Sequence, residues 1–421
     1  MKIQAHRGMT RTGGFFRWVV ILLFLTVLFS CGASRDWVTF RGDQGRGYTQ
    51  TSIKPPLAVK WKLKLQESSE AAYAFNNPVV IGNTIYFGST DGNVYALDIE
   101  SGYMRWVFKT GGAINPVPVA DNERLYIGSN DGKLYAINRE TGDLAWDFQA
   151  DNTIQSTIIK HENSVIFVSD GGFVYSLDPA TGRELYTIPN PVWHYFTFQV
   201  YDNGIYFAPG PVSQPHSMGV WDIGIRNYLW VLDTELLDAV WYSFPALNDR
   251  YVYFSTADPY LDVWNLEYYC YERKTGTLVW KYSDYTDWAF TRNLDTTQLF
   301  NDNLKLLDYL APSIAKNLVI YTSGDSVVRA FNAGTGNIAW QKKLDAQTTS
   351  APTAAGKYIY FGIDASYEHE HPRLVCLSLA KGKKMWEMDL EGKILSAPVI
   401  AQNWIIFGTD EHYFYVLEEL F

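Results

Sequence analysis

The chain has 421 residues, 47% hydrophobic and 16% aromatic, with 35 basic against 45 acidic side chains and a formal net charge of −10. Aromatic richness with moderate charge suits strands buried on both faces, and the length allows one large all-β domain. The acidic balance argues against a nucleic-acid partner, the more so because Lys2, Arg7, Arg11 and Arg17 all fall in a leader.

In that leader, basic residues precede an apolar run from Trp18 to Leu28, too short for a membrane span and suited to a secretory signal. The run ends in Leu28-Phe29-Ser30-Cys31, which resembles a bacterial lipobox, with Phe29 where a smaller residue is usual. On this reading residues 1–30 are a lipoprotein signal peptide. Cys31 is the lipid-attachment site, and residues 31–56 are a tether and N-terminal arm.

From Leu57 the sequence is repetitive. VKWKLKL, with Trp61, has no repeat in front of it. The unit VYALDIESGYMRW then runs from Val94 to Trp106, and its companions end at Trp146, Tyr186, Trp230, Trp280, Trp340 and Trp386. A last copy, FYVLEELF, stops at Phe421 before its own Trp. Each unit holds four short runs of β-branched and aromatic residues over roughly 40 residues, the period of four-stranded propeller blades. In the second unit the runs are PVPVA, RLYIGS, KLYAIN and LAWDFQ, linked through Asp121-Asn122, Asp131-Gly132 and Thr141-Gly142.

A blade cannot bury both faces alone, so the blades stack around an axis. The orphan strand with Trp61 then completes the blade that the C-terminus leaves unfinished, which protects the joint from an open edge. The expected fold is an all-β, eight-bladed β-propeller of four-stranded antiparallel blades over residues 57–421, its last blade closed by an N-terminal strand. Trp61, Trp106, Trp146, Trp230, Trp280, Trp340 and Trp386 are expected to pack between blades. The Asp of the repeat (Asp98, Asp178, with Asn138 and Asn332 in its place) is expected to fix the following turn. Cys270 and Cys376 align with Ala96 and are expected to be buried packing residues in blades that do not touch.

The spacing of the outer-strand aromatics grows after Tyr186 to 44, 50, 60 and 46 residues. The extra residues fall at Ala208–Gly219, Thr256–Leu266, Ser283–Tyr309 and Ile363–Arg373. These are links after the second or fourth strand of a blade, and both kinds emerge on one face. That face, over blades four to seven, is the candidate partner-binding surface, with Trp193, His194, Tyr195, Tyr260, Trp264, Tyr285, Trp288 and Phe290 in its loops. The competing reading is that these rings hold the long loops down. Glu368-His369-Glu370-His371 offers alternating side chains without a further ligand, so a solvated loop tip and no metal site is expected. No catalytic residue is assigned.

The Tyr-Ala-Leu-Asp, Thr-Gly, Trp pattern resembles the pyrroloquinoline-quinone-type propeller repeat, best over residues 77–190 and 310–400. Two groups share it: quinoprotein dehydrogenases, and non-catalytic propellers that include the BamB lipoprotein of the outer-membrane β-barrel assembly machinery. The enzymes resemble one another in a vicinal Cys-Cys disulfide above the quinone and an acidic and amide calcium site below it. This sequence has no Cys-Cys. A lipobox followed by an eight-bladed ring is similar to the BamB arrangement. The resemblance therefore implies a membrane-tethered, non-catalytic scaffold for an envelope protein complex, without cofactor, on the periplasmic face of the outer membrane. Its partner would be an envelope membrane protein or peptide, and the chain a monomer within the complex. The alternatives are a quinoprotein dehydrogenase and a carbohydrate or peptide binding module.

Overall fold

The computed structural model describes residues 36–42, 45–64, 77–189, 198–207, 218–232, 241–260, 263–287, 311–323 and 325–420. These lie in one compact unit, Asp36–Phe421. All regular elements among them are strands, arranged as eight sheets in sequential order around a ring. Each blade is built on a four-stranded antiparallel meander, here lettered A to D from the axis outward, and two of the sheets hold a fifth strand. In blade one the strands are Val79–Ile81, Thr84–Gly88, Asn93–Asp98 and Met104–Lys109. The expected eight-bladed propeller is what the chain forms.

Burial follows the same gradient in each blade. Strand B of blade one is buried throughout, whereas strand D alternates between exposed and half-buried positions. The core is therefore made of strands A to C facing their neighbours, with Ile85, Phe87 and Leu97 of blade one packed against Ile406, Phe414 and Val416 of blade eight.

Blade eight closes as anticipated. Leu57–Lys64 pairs antiparallel with Tyr413–Glu419, in a register that sets Trp61 opposite Val416 and Lys64 opposite Tyr413. The register slips by one residue between Val59 and Trp61. An equivalent slip precedes the aromatic of strand D at Leu144/Trp146 and recurs where Ala96/Leu97 face blade one's Trp106. Such a bulge re-aims a side chain, and here it turns the indole toward the next blade. The N-terminal strand thus carries the strand D geometry in full.

What the indole meets explains the Thr-Gly half of the repeat. Trp61, Trp106, Trp146, Trp230, Trp280 and Trp340 each donate Nε1–H to a carbonyl in the next blade's C–D turn, from Ile99 to Leu379, at 2.8–3.0 Å. The turn's glycine lies under the ring. At Gly142, with φ +78°, a Cβ would sit 2.8 Å from Trp106, so conformation and contact both require glycine there. Asp98, Asn138, Asp178 and Asn332 brace the same turns by accepting backbone N–H bonds two and three residues on. Trp386 packs against the core cluster shared by blades seven and eight, which holds Tyr360, Cys376, Ile405 and Leu417. Cys270 and Cys376 are free and fully buried, and burial pushes both thiols up to about 12.

Candidate functional site

Backbone bonds define two faces. On one, the C–D turn of a blade bonds its own A–B turn, as in Ile99 N–H to Asn83, Arg139 to Glu123 and Leu379 to Lys357. On the other, B–C links bond the incoming link from the preceding blade, as in Asn130 to Ala113, Asp170 to Thr153 and Asp410 to Lys393. The sequence inserts belong to this second face, which is called the insert face below; the first is the turn face.

The axis between the faces is filled by the chain itself. Asp36 accepts from Gly82 N–H in the A–B turn of blade one, and Trp37 then pairs antiparallel with Val80. The chain therefore enters at the turn face and runs up blade one's strand A. At the insert-face end Phe40 packs among Val117, Phe244, Ala311, Ala351 and Ala397, each located before strand A of a different blade. Its ring meets Phe244 edge-on at 4.7 Å. Arg41, 1% exposed, donates to the carbonyls of Ala311, Pro312 and Pro352, the Pro312 contact being 2.6 Å. The arm then descends blade seven, where Tyr48–Thr49 pairs in parallel with Ala354–Ala355, and Ile53 accepts from the Tyr360 hydroxyl at 2.6 Å.

Residues 36–53 are thus a hairpin inserted along the axis. The sequence analysis places them in a tether and N-terminal arm and does not foresee the packing of that arm along the axis. The signal was present in Trp37-Val38-Thr39-Phe40-Arg41-Gly42, an aromatic and glycine pattern out of keeping with a solvated linker. Its partners, however, lie up to 311 positions away.

Blade five gives the insert face its most prominent described feature. In the Thr256–Leu266 insert, expected as a loop, Thr256–Tyr260 and Val263–Leu266 are strand. Tyr251–Tyr260, Val263–Glu272 and Leu278–Asp287 are ten residues each and pair to their ends, with Tyr260 opposite Val263 and Asn265 opposite Tyr285. Tyr260, Trp264 and Tyr285 therefore stand on an extended three-stranded tongue rather than in loops, because the aromatic and β-branched run simply continues the ladder. Tyr285 is 63% exposed.

The tongue is braced by charge. Burial works to raise the Glu267 carboxyl, but hydrogen bonds from Lys281 and the Tyr269 hydroxyl outweigh it and hold the group below its usual range. Asp284 receives Arg329 Nε from blade six at 3.0 Å, and Arg329 also pairs with Asp325 at 2.7 Å. Arg329 stands where blades one and two have Tyr95 and Tyr135, whose hydroxyls bond Asp91 and Asp131.

In blade seven the link from Asp364 to Pro372 carries the Glu368–His371 run. Tyr367 is fully exposed there, and His369 Nε2 lies 3.8 Å from Asp345. Below the link, buried Arg373 joins Asp345 at 2.5 Å to Glu387 at 3.0 Å. Trp193, His194, Tyr195, Trp288 and Phe290 lie outside the described residues, as do residues 208–217 of the blade four insert.

A family model described as outer membrane protein assembly factor BamB matches residues 108–194, 245–365 and 324–419, together more than half of the chain. The chain belongs to the outer membrane protein assembly factor BamB family. Among solved structures, BamB from Moraxella catarrhalis is similar at 15% identity and a TM-score of 0.59, covering 86% of this chain and all of that one. A quinohemoprotein alcohol dehydrogenase, ADHIIG of Pseudomonas putida HK5, is similar at 14% identity and 0.63, covering 91% and 80%. A europium-containing methanol dehydrogenase follows at 14% and 0.58, covering 90% and 89%. At these identities the likeness is one of fold. No curated protein sequence matches the chain.

The dehydrogenase likeness makes the axis the place to test for a quinone. In this BamB-family chain the described residues there do not fit one. Phe40 and its alanine collar fill the insert-face end of the axis, and the Arg41 guanidinium is committed to backbone carbonyls.

Proposed function

We propose that this protein is a lipid-anchored, non-catalytic propeller that scaffolds an envelope protein complex in outer-membrane β-barrel protein assembly. On this reading residues 1–30 are removed as a signal peptide and Cys31 is acylated. The propeller, residues 57–421, sits on the periplasmic face of the outer membrane as one copy within the complex. The observation that carries the proposal is the filled axis. A ring whose centre is occupied by its own arm offers its faces, and the BamB family model supports a role within a protein complex.

The partner surface is assigned to the insert face of blades four to seven. It includes Tyr260, Trp264 and Tyr285 on the blade five tongue, with Trp193, His194, Tyr195, Trp288 and Phe290 as further members. Tyr285, exposed on a three-stranded support, suits a protein or peptide partner better than an aromatic on a solvated linker would, since few rotamers are lost on contact.

Crosslinking pull-down from native membranes tests this. The wild type should recover a membrane protein, and Cys31→Ala should reduce recovery. Shortening the tongue by paired deletion within Thr256–Leu266 should abolish it while thermal unfolding is retained. Recovery of no membrane protein, with quinone-dependent dye reduction by the purified chain, would overturn the proposal.

A further inference from the structure

The turn face carries a charge division that ring symmetry does not require. In blades one to four its turns hold Glu100, Asp121, Glu123, Glu140, Asp143 and Glu162, offset in part by Arg139, Arg183 and Arg226. In blades five to seven the balance reverses, Asp249 in the A–B turn of blade five being the exposed exception. Lys274 lies in the C–D turn of blade five, Lys316 in the A–B turn of blade six, and Lys357, Lys381 and Lys383 in the two turns of blade seven. All five are exposed, and none forms an ion pair with another described residue.

In a chain of net charge −10 such a sector is a local inversion. The acidic sector does not cancel it. Packed sheets stand about 10 Å apart and physiological salt screens exposed charges over about 8 Å, so a ligand at blade six senses little of blades one to three.

The described part of the arm begins at the same face. Asp36 is fixed to Gly82 in the A–B turn of blade one, and the Gly82 carbonyl accepts from Gln402 in the A–B turn of blade eight. Cys31 lies five positions before Asp36, a span of at most about 18 Å. A lipid on Cys31 would tether the molecule to the bilayer within that reach of Asp36 at the turn face.

We propose that the lysine sector of blades five to seven is a docking surface for an anionic phospholipid membrane. The five ammonium groups are distributed over the turn tips of three consecutive blades, which Trp280 and Trp340 lock together through Ala333 and Leu379. Spread cations on long stems match a plane of mobile phosphate headgroups, whereas a single phosphate would need donors converging on one point. The consequence is an oriented molecule. Its turn face rests on the membrane, and its insert face, with the blade five tongue, points away from the lipid toward protein partners. The orientation rests on acylation at Cys31; the lipid contact itself does not.

Residues 36–421 suffice for the test, because all eight blades and the closing strand lie in that compact unit and the anchor does not. Vesicles of phosphatidylcholine, with and without phosphatidylglycerol, are floated with the protein. Binding is expected only to the vesicles with phosphatidylglycerol and should fall steeply with added salt. The triple variant Lys316→Glu, Lys357→Glu, Lys383→Glu should lose more than tenfold in partitioning, and the corresponding Gln variant less. Far-UV circular dichroism and thermal unfolding verify that both variants fold.

Equal binding to the two vesicle types, no binding by the wild type, or undiminished binding by the Glu variant would overturn the proposal. So would capture of an acidic protein by the same lysines without vesicle binding. Neither the lipid anchor nor a protein partner is present in this assay, so its failure leaves the pull-down result for the scaffold standing.

Discussion

Replacing Phe40 by Ala removes the ring that closes the insert-face end of the axis. Phe40 is 7% exposed, sits edge-on to Phe244 at 4.7 Å, and is walled by Ala311, Ala351 and Ala397, side chains too short to collapse into the space it leaves. A large-to-small change at such a site costs about 3–5 kcal/mol, the upper part of that range applying where the surroundings cannot relax. At about 2.1 cal/mol/K per residue, the unfolding entropy of a domain this large is roughly 0.8 kcal/mol/K, so a loss of about 4 kcal/mol lowers Tm by about 5 °C. Calorimetry reads that shift. Hydrogen exchange reads the local one, because the Val80 amide donates to Trp37 and is protected only while the arm is seated. Phe40→Leu, which keeps most of the volume, should cost about 1 kcal/mol and leave exchange at Val80 slow. An alanine variant with unchanged Tm and unchanged exchange at Val80 would refute the claim that the arm is an integral plug.

Trp61→Ala should destabilise more than Trp106→Ala, although both indoles make the same carbonyl bond to the next blade, at 2.8 and 3.0 Å. Trp61 sits on the strand that closes the ring non-covalently, so its loss of about 2–4 kcal/mol frees an edge as well as a cavity, and limited proteolysis should cut the variant first in residues 57–64. The acid limb of stability provides a second check. A hydrogen bond from Arg105, then those from Ser101, hold the Asp98 carboxyl down to about 2. A depressed carboxyl contributes stability that is complete above its unfolded value near 4 and disappears as pH falls toward 2. The pair is partly exposed, which limits the contribution to about 0.5 kcal/mol. Asp98→Asn should retain the turn, as Asn138 and Asn332 do, and lose less stability than the wild type between pH 4 and pH 2 in urea titrations. Equal acid sensitivity of the two proteins would exclude the Arg105 pairing as a stabilising contact.

The ring was legible in the sequence because each blade meets the same local demand. A Trp must reach a carbonyl over a glycine in the next blade, so Trp, Gly and the turn-bracing Asp or Asn recur at fixed offsets, and the missing last Trp pointed to Trp61. Features used once leave no period to detect. The arm reads as linker because nothing near it in sequence shows what it packs on; Arg41 finds its acceptors in blades six and seven. The tongue was misread for a different reason. Extra length in a repeat suggests a loop, yet Tyr251–Tyr260 and Val263–Glu272 are rich in Tyr, Val, Phe and Thr, residues that extend an existing ladder at little cost once the hairpin is begun. The substitution of Tyr by Arg at position 329 marked the root of that tongue, since a guanidinium can serve Asp325 within its blade and Asp284 across the seam together.

These departures from symmetry share a direction. An eight-fold ring presents equivalent sites around its rim, and any one partner needs the equivalence broken. On the insert face the break is the tongue of blade five, keyed to blade six by Arg329, with the buried Arg373 network joining blade seven to blade six beside it. On the turn face it is the lysine sector, which spans the same three blades. Blades one and two, by contrast, keep the regular pair of a Tyr with the carboxylate four residues before it, at Asp91 and Asp131, and blade three keeps the Tyr but takes its carboxylate, Asp151, from the incoming link. One half of the ring thus keeps the repeat, and the other half is specialised on both faces at once. The plug fits that division, because it ties strand A of blade one to strand A of blade seven and brings its Arg41 bonds to blades six and seven.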